Sequence, residues 1–243
     1  MKTKDQRSIR EIIIDSALLY SIVILVAIGI FAAIVRAVFV VKGGLAYDHF
    51  RQLLPVEMVQ VAIEFESWFA TYPVLTLLHV IPGGIFLFLA PLQLSARIRT
   101  RYITFHRWSG RLALLSALLS GLSGLLLGAL FPYGGPVAAT AVYIFGTLYL
   151  VAAIRAFIAI RNRDMTLHQE WMIRMVSIGI GISTIRVIGL ILLTFTQVNI
   201  EELLGGAFWA GWTLTFVVAE LWIRHTRTRR LAMRHTSVKA FQG

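Results

Sequence analysis

Six apolar runs, each about 18 or more residues long with few charges, constrain this chain more than any other feature. A hydrocarbon core is roughly 30 Å thick, and a helix rising 1.5 Å per residue crosses it in about 20 residues. Within that core every backbone N–H and C=O must be satisfied inside the segment, so runs of this length become helices. The spans read as approximately 13–35, 74–95, 110–130, 137–159, 172–195 and 204–223. They use about half of the 243 residues, which leaves a single membrane domain, 1–243, and no separate globular unit. The expected fold class is therefore all-α, a polytopic transmembrane bundle of about six spans. The first run, Ile12 to Val35, is too long for a signal-peptide core and lacks a small-residue cleavage site, so it reads as an uncleaved span. A composition of 58% hydrophobic and 14% charged residues agrees with this class.

The formal net charge is +11, which in a soluble chain would point to nucleic acid. Here the basic residues cluster between apolar runs, so membrane orientation explains them and no nucleic-acid partner is expected. Segments 1–11, 96–111, 155–174 and 224–243 hold 4, 5, 4 and 6 basic residues, 19 of the 23. The alternate segments, 42–73, 131–136 and 196–203, hold only Lys42 and Arg51 beside six acids. By the positive-inside rule both termini are cytoplasmic, in a cell (inner) membrane, with 42–73 as an outer loop and 224–243 as a basic tail. Trp108, Trp171 and Trp222 fall near the inner boundary and Trp68, Trp209 and Trp212 near the outer one, as interfacial indoles do. The partners expected are the lipid bilayer and a membrane-protein partner or second copy of the chain. There is no Cys, which removes disulfides, thiolate metal sites and cysteine catalysis.

Helix contacts can be read from small residues. The third span carries Ser116, Ser120, Gly124 and Gly128 at every fourth position, and the fifth pairs Ser177 with Gly181 and Gly179 with Ser183. Such stripes let a neighbouring backbone approach closely. Pro82 and Pro91, beside Gly83 and Gly84, are expected to bend the second span. In the outer loop, Val56, Val59, Ala62, Ile63 and Phe69 have helical spacing and predict a surface helix lying on the bilayer. A short repeat also stands out: Thr104-Phe-His106-Arg-Trp108 with Arg111 before the third span, and Thr166-Leu-His168 with Trp171 and Arg174 before the fifth. Spans three–four and five–six read as two related hairpins.

Three of the six histidines sit in or against spans: His79, His106 and His168. His49, His225 and His235 read as solvated. Thr104 and Thr166 are expected as N-caps, with Thr166 and Gln169 forming a capping box, which sets both imidazoles near a helix start where they are neutral. Neutral imidazole is the form that binds metal or haem iron. The expected site joins His106 and His168 with Arg107, Arg111 and Arg174, which suit haem propionates, lipid phosphates or an anionic substrate. Capping, packing and lipid contact are the competing account of the same residues. A second polar set lies within the membrane. His79 and Arg186 fall within a turn of the same depth, and with Gln93 they could line a cavity or form a polar knot between helices. Glu220 reads as a salt-bridge partner for Arg155, Arg174 or Arg224. No phosphate loop, catalytic carboxylate pair, zinc-protease motif or serine elbow is present, and no metal site is expected.

Taken together, His79 with Pro91-Leu-Gln93, Arg97-x-Arg99 ahead of His106-Arg107-x-x-Gly110-Arg111, and His168-x-x-Trp171-Met-x-Arg174 with the later Arg186 resemble a family of predicted prokaryotic membrane proteins known only as a domain of unknown function. The resemblance covers roughly residues 75–195 and implies no established activity. It departs from the expected pattern at Gln169, where an Arg would follow the histidine, which weakens an anion-binding role there. The histidine layout is loosely similar to that of membrane b-type cytochromes, an analogy only.

Four functions stay open on the sequence. The first is a membrane protein whose inner-face His/Arg cluster binds a cofactor, lipid or anionic ligand. The second is a haem b electron carrier resembling cytochrome b561-type bundles, with at most one bis-histidine site because His79 lacks a second intramembrane partner. The third is a small proton-coupled transporter using His79, Gln93 and Arg186, and the fourth a structural or assembly subunit.

Overall fold

The computed structural model describes residues 9–42, 56–130, 134–195 and 199–241, and among these every regular element is a helix. The helices are α1 (Ile9–Lys42), α2 (Val56–Ala70), α3 (Pro73–Leu94), α4 (Ala96–Arg101), α5 (Ile103–Leu130), α6 (Gly135–Arg161), α7 (Met165–Phe195) and α8 (Ile200–Phe241). Six of them, all but α2 and α4, are long and apolar enough to cross a membrane. They run past the apolar spans because a helix needs no apolar side chains once it leaves hydrocarbon: α8 continues well beyond its span.

Neighbour relations position the rest. α3 packs on α5, α5 on α6, α6 on α7 and α7 on α3, closing a ring of four in which α5 and α7 stand diagonally. α1 seats against α3 and α7, and α8 against α6 and α7. α7 is thus enclosed by four helices, whereas α5 touches only α3, α6 and the short α4. The end of the bundle holding α4 and the starts of α5 and α7 is called the basic end below. Midway, Phe86 of α3 meets Tyr149 of α6 edge-on across the ring, with centroids 5.6 Å apart. Nearer the basic end the interior is small: Ala90, Ala113, Ala117, Ala152, Ala153 and Ala156 are all buried.

The serine and glycine stripes lie at helix contacts. A Cβ on Gly124 would stand 2.8 Å from the His79 ring, and one on Gly128 2.7 Å from Val142 of α6, so one stripe serves two neighbours. Gly83 faces Ser120, and Gly181 leaves room for Trp212. Both prolines of α3 lie within one continuous helix.

Three expectations change. α2 is a helix as predicted, but its inward face carries Glu66, which is buried and joined to Arg36 of α1 by two hydrogen bonds of 2.7 and 2.8 Å. Arg36 also lies over the Phe69 ring, 3.6 Å from its centroid. The helix docks on α1 through a buried ion pair, because only that pairing lets either charge leave water. Trp212 is buried within the bundle instead of lying at a boundary. Its indole N–H donates to the Ile178 carbonyl at 3.1 Å, and its ring packs on Phe145 and Phe208. Thr104 and Thr166 are not caps: α5 and α7 begin one residue before each. Asp164 takes the cap of α7, its Oδ1 accepting from Leu167 N–H at 2.9 Å, since a carboxylate outcompetes a hydroxyl at the positive end of a helix. His49, Asp48 and Arg51 lie outside the described residues, as do the side chains of Glu57, Glu64, Ala62 and His235.

Candidate functional site

His106 and His168 each occupy the fourth position of their helix. The His106 amide closes the first turn on the Tyr102 carbonyl at 2.9 Å, and the His168 amide does the same on Asp164 at 3.0 Å. α5 and α7 run in the same direction from the basic end, and each histidine is offset equally from the start of its helix. The faces match as well. Seven and eleven residues beyond His106 come Ala113 and Ala117, both buried; at the same spacing beyond His168 come Met175, buried, and Gly179, packed on Phe86. Both imidazoles therefore lie on the stripe that each diagonal helix turns toward the interior, and they stand within electrostatic reach of each other.

Their hydrogen bonding differs. His168 Nδ1 is 2.9 Å from the Ala156 carbonyl of α6. A carbonyl only accepts, so Nδ1 carries the hydrogen and Nε2 keeps a free lone pair. His106 Nδ1 is buried with no hydrogen-bond partner among the described residues. A buried polar atom left in that state costs about 1–3 kcal/mol, and such groups call for a bound partner or a function.

The arginines are distributed unevenly around this pair. Arg174 is bound to Glu220 of α8 at 2.5 and 3.1 Å and lies 4.7 Å from the Trp171 ring centroid, so it is held within the bundle. Arg107 and Arg111 are exposed on the outer side of α5, Arg111 stacked on Trp108 at 4.8 Å. The guanidinium within electrostatic reach of His106 is instead Arg99 of α4. Arg99 lay in the arginine motif but was not singled out, because α4 folds back on α5 only in three dimensions. Also missing from the sequence reading is the pairing of buried Glu170 with Arg227 at 3.1 and 2.5 Å. Its residues are 57 apart, and no local signal links them.

The second polar set divides between two levels. His79 Nδ1 donates to the Ser120 carbonyl at 2.8 Å, Ser120 Oγ donates to the His79 carbonyl at 2.9 Å, and Arg36 and Arg186 are within electrostatic reach of the ring. Arg186 also donates to the Ile182 carbonyl at 3.1 Å. Gln93 lies fourteen residues on from His79, roughly 21 Å along α3, where it donates to Ser109 Oγ at 2.7 Å. The structure brings His79 to Arg186 and leaves Gln93 at the basic end. No cluster of three or more His, Asp or Glu suited to a metal ion occurs among the described residues.

Comparison with curated proteins and with solved structures matched none of them. A family model does match, over residues 76–223, which include the whole four-helix ring but for the first few residues of α3. On that match, covering more than half of the sequence, the chain belongs to the family described as predicted membrane protein DUF2306.

Proposed function

We propose that His106 and His168 hold one shared ligand across the bundle, that this ligand is haem b, and that the chain is an electron-transfer protein whose basic end faces the cytoplasm in the cell membrane. The carrying observation is the buried, partnerless His106 Nδ1 within electrostatic reach of an imidazole whose other nitrogen is already fixed. A histidine that donates Nδ1–H to a backbone carbonyl and offers Nε2 has the arrangement common to metal-ligating histidines. Packed helices lie 8–10 Å apart, so diagonal axes stand roughly 11–14 Å apart, which leaves room for a shared group between two facing imidazoles. The donor set fits haem: the imidazoles of His106 and His168 would hold the iron and Arg99 a propionate, with small side chains around them. Haem, when bound, supplies a one-electron couple. The chain's own residues would hold it: His106 and His168 through their imidazoles, with His168 oriented by its Nδ1–H donating to the Ala156 carbonyl.

The test is a reduced-minus-oxidised absorption spectrum of detergent-purified protein produced with ample haem. A Soret band lost equally in His106→Ala, His168→Ala and the double variant supports the reading. A colourless wild type, or a band retained by all three variants, refutes it. A second reading, proton-coupled transport, is supported by His79, whose Nε2 is free beside two guanidiniums in the other half of the bundle. Proton-driven uptake in vesicles, lost in His79→Ala, is its signature.

A further inference from the structure

No acidic residue occurs between Glu66 and Asp164, yet this stretch contains Arg97, Arg99, Arg101, Arg107 and Arg111. None of the five takes part in an ion pair among the described residues; Arg101 and Arg111 stack only on Tyr102 and Trp108. On α7 and α8, by contrast, Arg174 and Arg227 are each bound to a carboxylate. α4, which carries three of the five, buries none of its side chains. Its N-terminus is capped by Ser95, so the helix is built to stay at the surface.

Beside these arginines an apolar groove of about 500 Å³ runs between α1 and α3, lined by Ala33, Ala37, Gly84, Ile85 and Phe88 and reaching Leu112 of α5. The α3 side extends from Val80 to Leu89, roughly 13–14 Å, close to half of a ~30 Å hydrocarbon core. Its floor is open because small residues meet there: a Cβ on Gly84 would only touch Ala33, at 3.7 Å. Leu112 lies one helical turn beyond Trp108 on the same face, and Trp108 is 65% exposed with Arg111 over its ring. Positive charge, an interfacial indole and an apolar channel one leaflet deep therefore follow in that order along one face.

We propose that this face is a binding site for an anionic phospholipid of the leaflet at the basic end, with the phosphate on the α4/α5 arginines, the glycerol beside Trp108 and one acyl chain in the α1/α3 groove. Charge complementarity selects the headgroup, since Arg97, Arg101, Arg107 and Arg111, the four guanidiniums of this face that the His106/His168 site does not use, have no carboxylate partner among the described residues and attract anionic lipid. The groove selects the tail, since its length matches one leaflet and its lining is almost wholly apolar. The site is distinct from the His106/His168 interior, which lies on the opposite face of α5.

Full-length protein in mild detergent is titrated with phosphatidylglycerol or phosphatidylcholine, and bound lipid is counted by native mass spectrometry. Phosphatidylglycerol should be retained in preference, one per chain. Arg107→Gln with Arg111→Gln should weaken it about 25-fold, because each basic residue at an anionic surface contributes about fivefold. Gly84→Leu, which fills the groove, should release the lipid while leaving the arginines intact; thermal unfolding of that variant in lipid-free detergent checks that it is folded. Equal retention of both lipids overturns the headgroup assignment. Retention unaffected by Gly84→Leu in folded protein overturns the groove. Displacement by millimolar inorganic phosphate would mark a free-anion site, and a chain dimer on this face an interface between copies; either overturns the proposal.

Discussion

The contact between His79 and Gly124 sets up a direct test of how the bundle is held. Gly124→Ala adds one Cβ, which would lie 2.8 Å from His79 Cε1 and 2.9 Å from Nδ1, closer than real Cβ contacts come. The ring cannot swing away freely, because Nδ1 is tied to the Ser120 carbonyl at 2.8 Å. Overpacking of this kind costs about 1–3 kcal/mol, and loss of the hydrogen bond about 0.5–1.5 kcal/mol. Alanine returns about 0.8–1 kcal/mol of helix propensity. The net is a loss of roughly 1–3 kcal/mol, or about 2–10 °C in Tm for a chain of this size. Gly206 provides the control: it lies in α8 with no atom within 4 Å of its would-be Cβ, so Gly206→Ala should raise Tm by about 2–4 °C. Both are read by thermal unfolding in detergent. Combining Gly124→Ala with His79→Ala should shrink the glycine effect, since the clashing ring is gone. If Gly124→Ala behaves like Gly206→Ala, α3 and α5 do not meet at His79 and the helix arrangement described above is wrong.

Reporter fusions after Arg101, Arg163 and Gln242 should all report cytoplasm, and fusions after Arg51, Gly134 and Glu202 the opposite side; an extracytoplasmic C-terminus would overturn the orientation. Arg36→Gln leaves the buried Glu66 carboxylate without the guanidinium that holds it and should lower stability by about 3–5 kcal/mol. The paired change Arg36→Met with Glu66→Leu should recover most of that loss, and a double variant as unstable as the single one would show that the ion pair is not what joins α2 to α1.

The sequence made the six crossings and the α2 helix legible because hydropathy and apolar spacing are local properties of a run of residues. Glu66 shows where that stops. Its place on the buried face of α2 depends on Arg36, thirty residues earlier, and apolar periodicity gives an acid no reason to turn inward. Trp212 was assigned to the interface by its type and depth, but the opening that admits it is made by Gly181 on another helix. The caps were missed by one or two residues, because Thr166 and Asp164 are both capping residue types and only geometry decides between them. The glycine and serine stripe on α5 was readable as a contact surface, although its two partners, His79 on one side and Val142 on the other, were not. The equal offset of His106 and His168 from their helix starts followed from their matching flanks. The diagonal arrangement of their helices required the packing of α3 and α6 between them.

The two motif-bearing hairpins have come to hold their arginines in different ways, and enclosure explains the difference. α7 is flanked by α1, α3, α6 and α8, so a charge on its inward face, such as buried Glu170, is matched by a partner on a neighbouring helix. The matching groups are supplied across the α7/α8 contact: Arg174 of α7 takes Glu220, and Glu170 of α7 takes Arg227. α5 has the corresponding motif but stands at the edge, with one flank against no other helix. Arg107 and Arg111 can therefore remain charged at the surface without any carboxylate, and the sequence around them contains none. His168 has its Nδ1 paired with Ala156 of the neighbouring helix, while His106 on the edge helix keeps a buried nitrogen with no partner among the described residues. On α7 the charged residues of the motif are used in holding the bundle together, and His168 keeps only Nε2 available. On α5 the same residue types are left available, the imidazole toward the interior and the guanidiniums toward the membrane surface.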